Sequence, residues 1–256
     1  MKLPKGSYLA SLVPPSEERL IPYIRKFLVV HPYAGVYTVN DEKYENKCSS
    51  PETMHFHPSS DCMKCPRLLY FERTVGYAER LDSAVTPELQ VIFKMGSAIH
   101  AMLQAWFLAW NDMDGMPHCV GNEVRIEDDE LNIGGYIDSV LKFPESDDEI
   151  PIEIKTINSY QFGLLKQPKP EHRMQVGLYI AETGAPYGIV LYCNKDSGEM
   201  KEFRVEPVDL MPVLMKWGKV RQAVKDRDIS ILECGCNMSD DTTFKRCPAR
   251  AFCPSV

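Results

Sequence analysis

The 256 residues carry 44% apolar and 25% charged side chains, an ordinary globular balance with chain enough for one large domain and its elaborations. No apolar run approaches the roughly 20 residues of a membrane-spanning helix, and Met1 to Leu20 holds lysines but no continuous apolar stretch of the kind a signal peptide needs. The formal net charge of −7 excludes binding of nucleic acid by overall positive charge, while leaving room for a local basic groove. These features assign the chain to the cytoplasm and away from membranes. Thiols stay reduced there, so nine cysteines point to metal or cluster ligation rather than disulfides.

In chain order, residues 1 to 60 read as an irregular N-terminal region punctuated by Pro14, Pro15, Pro22, Pro32, Pro51 and Pro58. Within it a short helix is expected from Ser16 to Val30 and a small hairpin around Gly35 to Val39, the remainder of 31 to 61 being loop. Residues 61 to 256 read as one regular domain. Arg67 to Arg80 is expected to be helical. A longer helix follows from Pro87, with Thr86 as its N-cap, and Val91, Ile92, Met95, Ile99, Met102, Leu103 and Trp106 form an apolar stripe at helical spacing. Three strands are expected over Asn122 to Asp128, Asn132 to Phe143 and Ile150 to Thr156. Then come a helix over Glu171 to Glu182, a hairpin of Gly188 to Asn194 with Lys201 to Val205, and a helix over Val208 to Lys225. This order predicts an α/β (α+β) fold, a mixed central sheet flanked by helices, with the functional carboxylates at one edge of the sheet.

The chemistry gathers on the strands. Residues two apart on a strand share a face, so Glu153 and Lys155 project together, opposite Ile152 and Ile154. If Asp138, which closes the apolar run Gly135-Tyr136-Ile137, lies on the neighbouring strand, two carboxylates and an ammonium converge. Such a set holds a hard divalent cation and places a positive charge beside an activated water, which is what phosphodiester hydrolysis requires. Lys166, Lys169, His172 and Arg173 follow Lys155 within a short span and form either a basic groove or a solvated face. Taken singly, each residue has a plainer reading: His100 as a core histidine, Asp138 as a strand-end cap, Glu153 with Lys155 as a surface pair worth tenths of a kcal/mol, and Glu123 on the first strand as an exposed side chain.

Four segments in order, Gly96-Ser97-Ala98-Ile99-His100, Gly135-Tyr136-Ile137-Asp138, Glu153-Ile154-Lys155 and Gln175-Val176-Gly177-Leu178-Tyr179, resemble the motifs of the PD-(D/E)XK nucleases. More narrowly they resemble the RecB-like branch with its helical histidine and Q-x-x-x-Y helix. With the cysteines, the chain resembles the CRISPR-associated RecB-like iron–sulfur exonucleases and their phage-encoded relatives, over roughly residues 57 to 253. The resemblance implies a restriction-endonuclease-like core. It implies His100, Asp138, Glu153 and the Ile154 carbonyl as ligands of Mg²⁺ or Mn²⁺, and Lys155, with Glu153 and Asp138, as the catalytic set. Gln175 and Tyr179 would contact the DNA backbone or buttress the site.

Cysteines stand at both ends of the domain: Cys62 and Cys65 before the first helix, and Cys234, Cys236, Cys247 and Cys253 near the C-terminus. In the family resembled, one cysteine ahead of a Pro-Arg pair joins three C-terminal ones around a [4Fe–4S] cluster that closes the domain like a clasp. Cys65, Cys247 and Cys253 match that pattern. The remaining position is Phe244 here, so Cys236 or Cys234 would replace it. Structural zinc is the alternative: Cys234, Cys236, Cys247 and Cys253 supply four thiolates, and Cys48, His57, Cys62 and Cys65 a second set. Cys119 and Cys193 read as small buried residues, and His55 and His57 as metal ligands, phosphate contacts or loop. Tyr70, Phe71, Tyr160 and Phe162 read as base-stacking or core aromatics.

The resulting expectation is a metal-dependent DNA exonuclease. It would hydrolyse phosphodiester bonds at single-stranded or frayed ends in DNA recombination, repair or replication, in the host cytoplasm if phage-encoded. The rival readings are a non-catalytic DNA-binding or adaptor protein on the same fold, or an endonuclease.

Overall fold

The computed structural model describes residues 18–30, 55–74, 87–235, 247–250 and 253; the expected hairpin near Gly35, the Thr86 cap and Cys48 lie outside them. Helices are α1 (Ile21–Val30), α2 (Pro58–Asp61), α3 (Pro66–Thr74), α4 (Pro87–Ala109), α5 (Ser159–Leu164), α6 (Pro170–Thr183) and α7 (Met211–Asp226). Strands are β1 (His118–Asp128), β2 (Ile133–Lys142), β3 (Glu149–Ile157), β4 (Gly188–Asn194) and β5 (Met200–Val205). They form a five-stranded sheet in the order β1-β2-β3-β4-β5. The β2–β3 and β4–β5 pairs are antiparallel and β3–β4 is parallel. A parallel pair needs a long crossover, and α5 and α6 supply it. The short helix α5 was not anticipated; Asn158 caps it, its side chain accepting the Gln161 N–H at 2.9 Å.

The chain divides into two compact units. One comprises Met1–Asn40, Phe93–Val124 and Ile137–Pro207. Its core joins Ile21, Ile24 and Phe27 of α1 and Leu103, Trp106 and Phe107 of α4 to Leu141, Ile150, Ile152, Ile154, Ile189 and Leu191 of the sheet. On the opposite face α6 lies against β3 and β4. A Cβ at Gly188 would run into Val176 of α6 and stand 3.3 Å from the Pro151 carbonyl, so glycine there is what lets α6 sit this low on the sheet. Gly96 does the same for α4, since a Cβ would be 3.2 Å from Thr156 Oγ1.

Two expectations are corrected. β3 is the middle strand, so Glu153 and Lys155 sit at the sheet's centre and not at an edge. The apolar stripe of α4 is buried only from Ile99 onward, with Leu103, Trp106 and Phe107 in the core, while Leu89, Val91, Ile92, Phe93 and Met95 are exposed. Moreover, Glu88–Asp112 is long and apolar enough, by length and composition, to cross a membrane, which the search for apolar runs missed because His100 and Gln104 interrupt it.

The second unit comprises Asp41–Ile92, Arg125–Tyr136 and Val208–Val256. Phe56 stacks on Trp217 of α7 with ring centroids 4.8 Å apart and carries the Arg73 guanidinium 4.2 Å from its own centroid. Beside them the buried Asp61 carboxylate pairs with Lys64 at 3.0 Å and Arg73 at 3.1 Å and accepts the His57 N–H at 3.0 Å. The Lys216 ammonium of α7 donates to the carbonyls of Cys62 and Lys64, holding the α2–α3 turn from the other side.

Burial alone would raise the Asp61 carboxyl, but the Lys64 charge, the His57 N–H and the Arg73 charge outweigh it and hold it below its ordinary 3.8. A depressed carboxylate contributes stability that is present above its unfolded value and lost as pH falls through the folded one. Asp61→Asn is therefore expected to lower the unfolding free energy by about 3 kcal/mol near neutral pH and to flatten the loss of stability below about pH 4. Urea unfolding of both proteins across acid pH measures this.

Candidate active site

The hydrogen-bonded ladder between β2 and β3 runs from Lys142↔Glu149 to Ser139↔Ile152 and stops. One residue further, at Asp138, the side chain takes over from the backbone: Asp138 Oδ2 accepts the Ile154 N–H at 2.7 Å. The carboxylate thereby occupies the fork between the strands. Into the same fork α4 brings His100, with Nδ1 3.5 Å from Asp138 Oδ1. One turn along α4, Gln104 Nε2 donates to the Asp138 carbonyl at 2.8 Å and to Glu123 Oε1 at 2.7 Å. Asn122 completes the lattice: it donates to the Gln104 carbonyl at 2.9 Å and accepts from the Ser139 hydroxyl at 2.7 Å.

On β3, Glu153 and Lys155 share a face as the strand period requires, with Lys155 Nζ 2.5 Å from Glu153 Oε1. Glu153 is only 2% exposed, and burial first, then the nearby Asp138 charge, pushes its carboxyl up. Its other oxygen, Oε2, is buried and has no partner in good hydrogen-bond geometry among the described residues, although the Tyr179 hydroxyl lies beside Glu153. Burial would lower His100, but the hydrogen bond and charge of Asp138, and then the Glu153 charge, outweigh it and hold the imidazole above its ordinary value. The Ile154 side chain is fully buried in the core, which fixes the backbone between the two functional side chains.

Beneath Glu153 lie the paired residues of α6. Gln175 Nε2 donates to Tyr179 Oη at 2.7 Å, and both are buried. Gln175 Oε1 has no partner among the described residues. Their depth suits buttressing rather than surface contact with a DNA backbone. Burial, and next the Glu153 charge, keep the Tyr179 hydroxyl well above its ordinary value and hence protonated. The structure thus brings together His100, Asp138, Glu153, Lys155, Gln175 and Tyr179 in one unit.

This donor set fits a hard divalent cation. His100 and the carboxylates of Asp138 and Glu153 border the fork, groups of the kind that ligate such a cation; Glu153 Oε2 and Gln175 Oε1 have no hydrogen-bond partner in good geometry among the described residues, with the Tyr179 hydroxyl beside Glu153. Among the described residues, three candidate ligand atoms come within 4.8 Å of one another at His55, Glu127 and Asp129, and not at His100, Asp138 and Glu153. This second group is more exposed, Asp129 having 92% of its side-chain surface open. The two acids also face different ring nitrogens, Glu127 at 3.9 Å from Nδ1 and Asp129 at 3.5 Å from Nε2.

Glu123 departs from expectation. It is half-buried and hydrogen-bonded to Gln104 rather than exposed, and its backbone has a φ of +50°, a conformation costly for a non-glycine residue. Gln104 and Asn122 were missed. Gln104 follows His100 by four, a spacing that puts both on one side of the helix and so carried a usable signal. Phe71 and Phe162 are core, whereas Tyr160 is exposed.

In the second unit Cys65 Sγ lies 3.8 Å from the position a Gly235 Cβ would take, next to Cys234, and Cys234 and Cys253 are close enough to interact. Arg67 ties the two ends, donating to the Leu232 carbonyl at 2.8 Å and reaching Cys253 Sγ at 4.0 Å. Cys234, not Cys236, is the described residue beside them; Cys236 lies outside the described residues. No disulfide joins the described cysteines. Cys62 is set apart: its thiol donates to the Pro58 carbonyl at 3.1 Å, and burial pushes it up to about 12, so it is no ready thiolate ligand. His57 Nδ1–H donates to the Gly134 carbonyl at 2.9 Å, since a carbonyl oxygen can only accept. Cys119 and Cys193 are buried.

No protein-family model and no curated protein matches the chain. Among solved structures, SSO0001 aligns over 91% of this chain and 94% of its own at 20% identity, with a TM-score of 0.47. LHK-Exo in complex with dAMP aligns over 70% and 92% at 16% identity, with a TM-score of 0.50. The alkaline exonuclease LHK-Exo from Laribacter hongkongensis, in a second structure, aligns over 68% and 89% at 15% identity, with a TM-score of 0.43. The likeness to the dAMP complex bears on the fold alone: the mixed sheet with flanking helices that the strand and helix order predicted, in the nuclease-like form that the motif resemblance implied.

Proposed function

We propose that the chain is a metal-dependent nuclease of the PD-(D/E)XK type, in its RecB-like branch, acting on DNA ends as an exonuclease. The observation that carries the reading is the fork at which Asp138, Glu153, Lys155 and His100 converge within a fold shared with LHK-Exo. His100, Asp138, Glu153 and the Ile154 carbonyl would hold Mg²⁺ or Mn²⁺, the imidazole widening tolerance toward Mn²⁺. The cation, when bound, neutralises charge on the phosphate and activates water. Lys155 orients that water and stabilises negative charge developing on the phosphate oxygens. Glu153 holds the ammonium in place, and Gln175 with Tyr179 fixes Glu153 from below.

The cysteine clasp belongs to the same reading. Cys65, Cys234, Cys247 and Cys253, with Cys236 as the other candidate for the second C-terminal position, would hold a [4Fe–4S] cluster, or structural zinc. Thiols drawn from both ends of the sequence and tied by Arg67 support this. A ligated ion there would contribute directly to folding free energy.

Two results are expected. End-labelled linear DNA is degraded in Mg²⁺ or Mn²⁺ while closed circular DNA survives, and Lys155→Ala lowers the rate at least about 100-fold; wild type that binds DNA and leaves it intact under both metals would turn the reading to an adaptor, and cutting of circles to an endonuclease. Protein purified without chelator carries iron and sulfide that Cys65→Ser loses; zinc without iron would decide for the alternative, and absence of both would remove the clasp.

A further inference from the structure

In the parallel β3–β4 pair Lys155 stands opposite Tyr192. Paired residues on neighbouring strands point to the same face, so the tyrosine flanks the proposed catalytic lysine on the side toward α6. Its ring is fully buried, but its hydroxyl is engaged twice. The Lys169 N–H, at the start of α6, donates to Tyr192 Oη at 2.9 Å, and His172 Nδ1 lies 2.7 Å from the same oxygen. The two rings lie against each other with centroids 5.5 Å apart. The Lys169 N–H takes one lone pair of the hydroxyl, and of the two tautomers that the His172 contact admits, the one adopted for this proposal has the hydroxyl donating to Nδ1. Burial pushes the Tyr192 hydroxyl up to about 12, so that hydrogen stays in place. Nδ1 is then the acceptor and the ring proton resides on Nε2.

His172 is only half-buried, and Nε2 has no partner among the described residues. Burial first, then the charges of Lys155 and Lys169, push the imidazole down to about 3, so it remains neutral. A neutral ring oriented by a buried tyrosine, within reach of the Lys155 charge, is a donor suited to an anionic oxygen when its N–H is on Nε2.

Resting on the nuclease reading of this site, we propose that His172 is a further substrate-binding residue: its Nε2–H donates to a phosphate oxygen of the nucleic-acid strand beside the phosphate that Lys155 faces, with Tyr192 as the positioning residue that fixes the tautomer. It would act as an uncharged anchor among the charged ones, adding a directed hydrogen bond without another ion pair.

The charge state supplies the test. Binding of a fluorescent single-stranded oligonucleotide is measured in chelator, across a salt series, for wild type, His172→Phe, His172→Gln, Tyr192→Phe and Lys169→Ala. His172→Phe keeps the ring in its packing and removes the donor; it is expected to weaken binding about 10-fold while leaving the slope of log Kd against log salt unchanged. His172→Gln, which can place an amide N–H near the Nε2 position, restores most of the loss, and Tyr192→Phe gives an intermediate loss. Lys169→Ala, by contrast, reduces the slope by about 0.7 if its ammonium meets a phosphate. Wild-type affinity in His172→Phe, or a changed salt slope in it, overturns the assignment while leaving the nuclease reading standing. Failure of the wild type to bind any oligonucleotide sinks both.

Discussion

A carboxylate accepting a strand's own N–H is the contact on which the site depends. The β2–β3 ladder ends at Ser139↔Ile152, and Asp138 Oδ2 takes the next amide, that of Ile154. Had the backbone ladder continued, Asp138 would stand clear of its partner strand. Because it is drawn into the fork, its second oxygen meets His100 of α4, and Glu153 is left facing a carboxylate in a dry setting. Burying two acids together is unfavourable unless they are paired or bind an ion. Lys155 offsets part of that cost at one Glu153 oxygen, while the other has no partner in good geometry among the described residues. Unsatisfied groups and strained backbone concentrate at functional sites, and here Glu123, with its positive φ, lies two hydrogen bonds from Asp138 through Gln104.

Strand period and helix period were enough to locate the elements that carry this chemistry. The placement of Glu153 and Lys155 on one face followed from the period of two. The helix of His100 followed from its apolar spacing and from Pro87. What periodicity does not contain is strand order. The antiparallel β4–β5 hairpin lies outside β4 rather than against β2, so β3 becomes central and the site moves from the expected edge to the middle. The fork itself depends on where pairing stops, which is a property of two strands and not of either alone. Tyr192 is likewise invisible in one dimension: only the parallel register with β3 sets it opposite Lys155. The exposed first turns of α4 show the converse limit, since an apolar stripe identifies a helix without showing how much of it has a partner.

Polar groups are treated differently in the second unit. Asp61 is as deeply buried as Glu153, yet both of its oxygens meet donors from Lys64, Arg73 and the backbone, and its carboxyl is held down rather than pushed up. A saturated buried carboxylate organises a turn; one with an oxygen still open among the described residues is the kind of group the proposed cation would engage. The contrast separates structural from functional acids on the same chain without reference to any relative.

The central claim is that the fork is a divalent-cation site. Titration of Mn²⁺ into the metal-free protein, followed by calorimetry, tests it most directly when wild type is compared with Glu153→Gln. The account predicts Mn²⁺ binding to wild type that is weakened at least about 10-fold in the variant, as expected for loss of a charged ligand. Equal binding in both proteins would place the ion elsewhere, with His55, Glu127 and Asp129 the first group to examine, and would contradict the account.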